Sequence, residues 1–497
     1  MSAIPSRAGT KRDDATRAVE NVVVGKDIIG LLTAGMYVSP TTIYREYVQN
    51  SVDAIEQATA DAKELRHRRV SIDINHTARS IVIRDTGIGV SHRKVAKTLT
   101  TIGASEKKGT DARGFRGVGR LSGLAYCREL EFRTKAKGEK ITTSVVWDCR
   151  KLRSLMMDFG AALDVRDLIA DVIALSSTSS SDDGSFFEVH LRDVSRLKGD
   201  ALLNEQQIWN YLSQIAPVDF APDFSHASMI TPLLRQHGVR PPVQIEINGK
   251  AIYRPHRDSM TGGASNRSLK IKEIEPLEFA DVDGGCAAVG WIAHHEYARA
   301  IPTAFGVHGL RARMGDLQIG DTTLFEDAFK EQRFNAWCIG EIHVVDRRVV
   351  PNGRRDNFEA NHHSYNLAVQ VGAVANRISQ RCRTESASRN AVRFVDLAIG
   401  AATDRIKSRK QLERAELASL KSSIVSARPR LKWVHDVATK KRLSERLDKL
   451  EQILSKRRPK RGASIVTLNS ASALVSKVVT NREQARKLLA ALQRMAT

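Results

Sequence analysis

Aromatic residues are scarce: Phe, Trp and Tyr make up 5% of the 497 residues. Aliphatic side chains must therefore build the cores, and a hydrophobic content of 42% is enough for most of the chain to fold. No apolar run reaches the ~18 residues that a membrane-crossing helix needs. The first twenty residues, MSAIPSRAGTKRDDATRAVE, lack the apolar centre of a secretory signal and read as a flexible leader. Cysteines are few and scattered (Cys127, Cys149, Cys286, Cys338 and Cys382), odd in number and without CxxC spacing. That pattern excludes a disulfide framework and a zinc ribbon, and points to reduced thiols in a cytoplasmic protein. Acidic residues are outnumbered, 56 against 78 Lys and Arg, for a net charge of +22. Residues 401–497 hold 24 Lys and Arg against 8 Asp and Glu, a net +16. A basic stretch of that kind implies an anionic partner, either nucleic acid or an acidic protein surface, or else a solvated helix face.

At this length the chain is too long for a single core, and three domains are expected. Between 20 and 200, helical and strand patterns alternate. VSIDIN (70–75) and SIVIRDTGIG (80–89) read as paired strands with a turn at His76–Arg79, and FFEVHLRDV (186–194) as a third strand. SSTSSSDDGS (176–185) reads as a loop. A second α/β region ends near 385. It takes in a hairpin at 241–255 with its turn at Asn248–Gly249, and strands at 286–295 and 337–346. The rest is helical: Leu443, Leu447, Leu450 and Leu454 form a stripe over two heptads, too short for a coiled coil. Pro429 and Pro459 should break this region, and SKRRPKRGAS (455–464) reads as an exposed basic linker.

Three stretches carry chemistry. In REYVQNSVDAIEQA (45–58), Glu46, Asn50 and Asp53 fall on one helical face, while Tyr44, Val48, Val52 and Ile55 form an apolar stripe on another. A surface helix normally turns Lys and Glu to water, so this trio calls for a ligand. IRDTGIGV (83–90) puts Asp85 at a strand end, followed by Gly87 and Gly89; alone, DxGxG is shared with ordinary turns. GFRGVGRLSGLAY (114–126) leads Gly114, Gly117 and Gly119 into a helical pattern, a geometry that offers N–H groups to phosphate.

In that order and within about 75 residues, the three stretches resemble the GHKL ATPase superfamily, which includes the 90-kDa heat-shock chaperones, MutL, type II topoisomerase ATPase subunits and MORC proteins. LLTAGMYVSPTTIYREYVQNSVDAI and LTTIGASEKKGT resemble the chaperone branch most, over about residues 25–200. The resemblance implies an α+β fold: a Bergerat ATP-binding sandwich at 21–205, an S5-like α/β middle or transducer domain at 206–385, and a helical basic region at 386–497. It places Glu46 as the general base and Asn50 as the Mg²⁺ ligand, with Asp53 behind them. Asp85 would read adenine, since an ionised carboxylate only accepts hydrogen bonds. Gly87 and Gly89 would admit the base, and Thr98 would contact the nucleotide. Gly117, Val118 and Gly119 would donate N–H groups to the phosphates, and Ser185 would support the adenine–aspartate contact.

The chaperones' lid lysine aligns with Ala104, leaving Lys107 or Lys108 to substitute. Arg120 stands where the chaperones have Phe, and the lid between Gly103 and Gly114 is shorter. VVDRRVVPNGRRDNFE (344–359) resembles the chaperones' middle-domain loop, with Arg355 on the arginine that reaches the γ-phosphate and Arg354 as its neighbouring competitor. The last 110 residues do not resemble the chaperones' dimerisation domain.

Two functions fit. One is a chaperone-like ATPase using ATP and Mg²⁺, acting on a protein client as a homodimer. The other is a MutL- or MORC-like clamp that closes on nucleic acid through 401–497. A nucleotide-binding switch without hydrolysis needs neither Glu46 nor Arg355. A histidine kinase would place its acceptor helix before the ATP domain, where only a short leader stands.

Overall fold

The computed structural model describes residues 39–58, 69–101, 119–158, 164–181, 183–262, 267–408, 412–458 and 482–494, with single residues at 475 and 479. Two compact units divide at Ser379/Gln380.

In the first unit, α1 (Thr42–Ala58) starts behind Ser39 and Pro40, whose carbonyls accept from Thr42 N and Ile43 N. Proline at a helix start carries no N–H to leave unpaired. The stripe Tyr44, Val48, Val52 and Ile55 is fully buried. Burial of each such side chain is worth about 1.5–3 kcal/mol, which fixes α1 on the sheet by one face and leaves the other to the site. The sheet is built from β1 (Arg69–Asn75) and β2 (Ser80–Asp85), then α2 (His92–Thr100), a short 3₁₀ turn (Gly119–Ala125), β3 (Glu129–Lys135) and β4 (Ile141–Asp148). It continues through α3 (Cys149–Met157), α4 (Val165–Val172), β5 (Ile173–Ser179) and β6 (Phe186–Arg192). After α5 (Glu205–Ile215) and α6 (Ala227–Gln236) come β7 (Gln244–Ile247) and β8 (Lys250–Ala251). The strand order is β5-β4-β3-β6-β2-β1-β7-β8, antiparallel except for β1–β7. The β1–β2 pairing sets Ile72 opposite Ile83 and Ile74 opposite Ile81, so the alternation buries one face of both strands. This is the mixed, mainly antiparallel α+β sandwich expected from the sequence.

Two expectations are corrected. The stretch 176–185 is not all loop: β5 runs through Ser179 and pairs with β4, Ser176 opposite Ser144. Its residues after Ile173 are exposed on the sheet edge, so no hydrophobic alternation marks the strand. The hairpin at 241–255 belongs to the first sheet, since Val70 pairs with Ile245 and Ile72 with Ile247. Its turn is Asn248–Gly249, both at positive φ (47° and 77°), the conformation that matches strand twist.

The second sheet follows a hairpin, β9 (Ser259–Gly262) and β10 (Arg267–Lys270). It contains β11 (Glu273–Ala280), β12 (Cys286–His294), β13 (Gly309–Met314), β14 (Leu317–Ile319) and β15 (Ile339–Val344), in the order β11-β12-β15-β13-β14. A charged network lies buried beside it. Arg254 binds Asp316 at 2.5 Å and also Glu341, while Arg313 Nε reaches Glu341 at 2.8 Å. Burial alone would raise the Glu341 carboxyl, but Arg254 and Arg313 outweigh it and hold it well below the usual carboxylate range.

His256 sits edge-on to Trp291 at 5.0 Å, and neither ring nitrogen has a hydrogen-bond partner among the described residues. Burial pushes its pKa down to about 3. Unfolded, it titrates near ~6.5, so as pH falls below that value the unfolded chain takes up a proton that the folded chain refuses. Stability is lost as pH falls from about 6.5 toward 3. A His256→Phe variant should lose about 1 kcal/mol less than the wild type between pH 7.5 and ~5.5, as read by denaturant melts at both values. Equal losses would show that His256 takes up its proton as readily in the folded chain as in the unfolded one.

The long helix α7 (His362–Ser408) is continuous through position 385. In the second unit its later turns pack with α8 (Arg414–Ala427), a 3₁₀ turn at Arg428–Trp433 containing Pro429, and α9 (Val437–Lys456). Leu443, Leu447, Leu450 and Leu454 are buried against Val395, Ile399 and Ile424 of that unit's own core. A further helix, α10, spans Arg482–Arg494. Pro459 and most of the 455–464 linker lie outside the described residues. No helix among the described residues is long and apolar enough to cross a membrane. None of the five cysteines is in a disulfide; Cys127 and Cys149 Sγ lie 3.9 Å apart and buried.

Candidate functional site

The site is assembled on α1. Glu46 and Asp53 are buried and Asn50 is half-buried on the same helix. Tyr47, one residue on, anchors the neighbouring turn: its hydroxyl accepts from Gly123 N at 2.9 Å and donates to Arg120 O at 3.1 Å. That brings Gly119 against Glu46, where an added Cβ would collide with Glu46 Oε2. A side chain here would push the Glu46 carboxylate from its place.

The turn after β2 is equally constrained. Asp85, 1% exposed, ends β2 and accepts from Gly87 N at 2.9 Å. A Cβ on Gly87 would stand 2.6 Å from Ala54 Cβ, and Ile88 N donates to Ala54 O at 3.2 Å, so the turn is pressed onto α1. Gly89 has φ +65° and faces the Lys135 carbonyl. Ser185 Oγ donates to Gly87 O at 2.7 Å, which places it on this turn. Thr98 lies exposed on α2. Gly117, Val118 and Lys107, with its alternative Lys108, fall outside the described residues.

The second region contributes from far along the chain. Arg355 Nη1 reaches Glu46 Oε1 at 3.2 Å, whereas Arg354 is exposed. Arg355 holds a left-handed backbone (φ 56°), a conformation that costs a non-glycine residue about 1–2 kcal/mol. It is held there by three bonds: Arg355 N donates to Asn352 O, and Arg355 O accepts from Gly320 N at 2.8 Å and from Arg45 Nη2 at 3.2 Å. Consecutive residues of α1 thus grip one loop: the Arg45 side chain holds the backbone carbonyl of Arg355, and the Glu46 carboxylate holds its guanidinium.

Three participants escaped the sequence. Arg45 also donates to Gln318 O at 2.9 Å, a partner 273 residues away that no local spacing could announce. Thr134 Oγ1 accepts from Val90 N and donates to Phe186 O, tying the glycine turn to β3 and β6. Arg120, noted only as a departure, binds Thr101 O, so the described residues on either side of 102–118 meet. Its guanidinium pKa is lowered by burial.

Residues 38–156 match the family described as histidine kinase-, DNA gyrase B-, and HSP90-like ATPase. Over these residues the chain is similar to the GHKL ATPases. Chaperone protein HtpG of Coxiella burnetii is 31% identical over 142 residues, 25% of this chain and 22% of that protein. HtpG of Streptomyces coelicolor is 26% identical over 159 residues, 27% of this chain and 24% of the relative. HtpG of Klebsiella pneumoniae is 24% identical over 225 residues, 40% and 31% respectively. The chain therefore spans less than a third of the length of these relatives. The likeness lies in the GHKL domain and places it near the HSP90-like branch.

Asp85 is the residue of this domain whose loss should act on binding alone. Asp85→Asn keeps the shape but turns one acceptor oxygen into a donor, which would face the adenine amino group with a like group. An unmade buried hydrogen bond of this kind costs about 1–3 kcal/mol. ATP affinity, read by calorimetry, should drop by about 100-fold at the upper end. Undiminished affinity would discard the assignment.

Proposed function

We propose that the protein is an ATP-hydrolysing, chaperone-like machine that acts on a protein client as a homodimer. The Arg355–Glu46 contact carries the reading. Holding a nucleotide requires neither a buried carboxylate on α1 nor an arginine loop pressed against it. In the proposed turnover, Glu46 orients the attacking water and takes its proton. The γ-phosphate offers Arg355 a competing anion and so releases Glu46 to the water. Asp85 accepts from the adenine amino group, Gly87 and Gly89 admit the base, and Ser185 holds their turn. Gly117, Val118 and Gly119 supply N–H groups to the phosphates, with Thr98 and Lys107 as further nucleotide contacts and Asp53 supporting the helix face.

The donor set fits magnesium held by Asn50. Among the described residues no group of three or more His, Cys, Asp and Glu could hold a metal alone. Asn50 offers a half-buried amide oxygen on α1, a hard donor suited to a cation that takes most of its ligands from phosphates and water. Magnesium so bound would neutralise charge on the phosphate oxygens. Residues 21–205, whose sheet is extended by the hairpin strands at 244–251, are proposed as the ATP-binding domain, the rest of 206–385 as the transducer that supplies Arg355, and 386–497 as the output region.

Steady-state ATPase of the full chain tests this reading at about 150 mM salt, with an unfolded protein or with double-stranded DNA added. Turnover that responds to the unfolded protein and ignores DNA is expected. Residues 380–497 carry 28 Lys and Arg against 10 Asp and Glu, a net +18, which favours the nucleic-acid clamp as the second reading. Stimulation by DNA that is lost on deleting 401–497 would establish the clamp instead.

A further inference from the structure

The second unit exposes two aromatic rings in a chain that has few. Trp433 is 47% and Phe394 42% exposed. Both carry a cation: Arg430 lies 5.2 Å over the Phe394 ring, and Lys432 lies 5.2 Å from the Trp433 ring. Arg430 and Trp433 are three residues apart on the Arg428–Trp433 3₁₀ turn, and at three residues per turn they share one side. Ring, guanidinium and ring therefore follow one another across α7 and the turn. A core of Leu, Ile and Val lies beneath, yet neither ring enters it.

The nearby carboxylates are already engaged. Asp448 and Glu451 hold Arg428, Asp396 holds Arg446, and Asp436 caps α9 through Thr439 N. Arg430 and Lys432 have no carboxylate partner among the described residues. The face therefore combines cations that no carboxylate neutralises with half-exposed rings, within a unit of net +18.

We infer that Phe394, Arg430, Lys432 and Trp433 form a binding face for single-stranded nucleic acid. Unpaired bases stack on the two rings, and Arg430 and Lys432 neutralise the adjoining phosphates. A duplex hides its base faces, so it cannot use the rings. An acidic peptide would use the cations alone. The inference is independent of the ATPase reading, because it concerns residues of the second unit and is measured without nucleotide; loss of turnover and loss of this binding are separable.

The test is fluorescence anisotropy of a labelled thymidine oligomer of about 20 nucleotides, titrated with the full chain at ~150 mM salt. Stacking is worth about 1–3 kcal/mol per base. Trp433→Ala and Phe394→Ala should each weaken binding about 10-fold, and Trp433→Phe should stay within about 3-fold of wild type. Both sites are exposed, so melting temperatures should be unchanged. Lys449→Ala, an exposed charge elsewhere in the unit, should cost less than about 3-fold. Affinity unmoved by both ring removals would overturn the inference and leave diffuse charge attraction. A matched duplex that binds as tightly as the single strand would overturn it too. So would a chain that ignores the oligomer but binds polyglutamate in a Lys432-dependent way, which would reassign the face to an acidic protein.

Discussion

Replacing Glu46 with Ala should reduce ATP turnover by about 10³-fold while ATP still binds with affinity within about 10-fold of wild type. General bases contribute roughly 10²–10⁴ in rate, and the upper range is expected here because Glu46 is the buried carboxylate on α1 that Arg355 touches. Binding should survive, because the proposed adenine contacts, Asp85, Gly87 and Ser185, lie on the turn after β2, and none of them bonds to Glu46 in the structure. Glu46→Gln separates two roles. It keeps the size and can still accept from Arg355, but it cannot take a proton. If Gln is as dead as Ala, the lost function is proton transfer. If Gln restores turnover to within 10-fold, Glu46 serves to seat Arg355, and the base must be sought elsewhere. Steady-state turnover and calorimetric ATP binding, run on all three proteins, decide between these. Loss of binding together with turnover would sink the assignment as base.

The parts of this fold that could be read from sequence are those whose physics is local. The α1 trio and its apolar stripe follow from helical spacing, and β1, β2 and β6 follow from alternation, because each buries one face. The edge strand β5 had no such signal: its Ser and Thr side chains face water, and only pairing with β4 makes it a strand. The 241–255 hairpin was legible as a hairpin, but its sheet was not, since a parallel pairing between β1 and a strand some 170 residues on leaves no mark in either stretch. The same holds for the site. Glu46, Asp85 and the glycines stand in motifs whose spacing is short. Arg45 and Gln318 meet only because two sheets pack together, and a buried arginine reads in sequence like any surface one. Arg355 was found only through a resemblance of its loop. Nothing in the residues around it foretold its left-handed backbone.

Arg355→Ala should lower turnover by about 10³-fold, comparable with Glu46→Ala, with ATP affinity changed less than about 10-fold. An arginine that meets the transferring phosphoryl group is worth roughly 10³–10⁵ in rate, and the low end is expected because this one is supplied within the same chain. The loop is prepared for that role before nucleotide arrives. Its left-handed residue is fixed by Gly320 N, Arg45 and Asn352, so little order remains to be gained on binding. Arg355→Lys keeps the charge and loses the fork, and should recover less than a tenth of wild-type turnover. The double variant Glu46→Ala/Arg355→Ala should be scarcely worse than either single one, since residues that act as a unit are strongly non-additive. Multiplied losses would mean that the two side chains act on separate steps, with their 3.2 Å contact a resting-state pairing only. An Arg355→Ala protein that turns over within about 3-fold of wild type would remove the transducer loop from the chemistry altogether, and Arg354, exposed beside it, would be the next residue to replace.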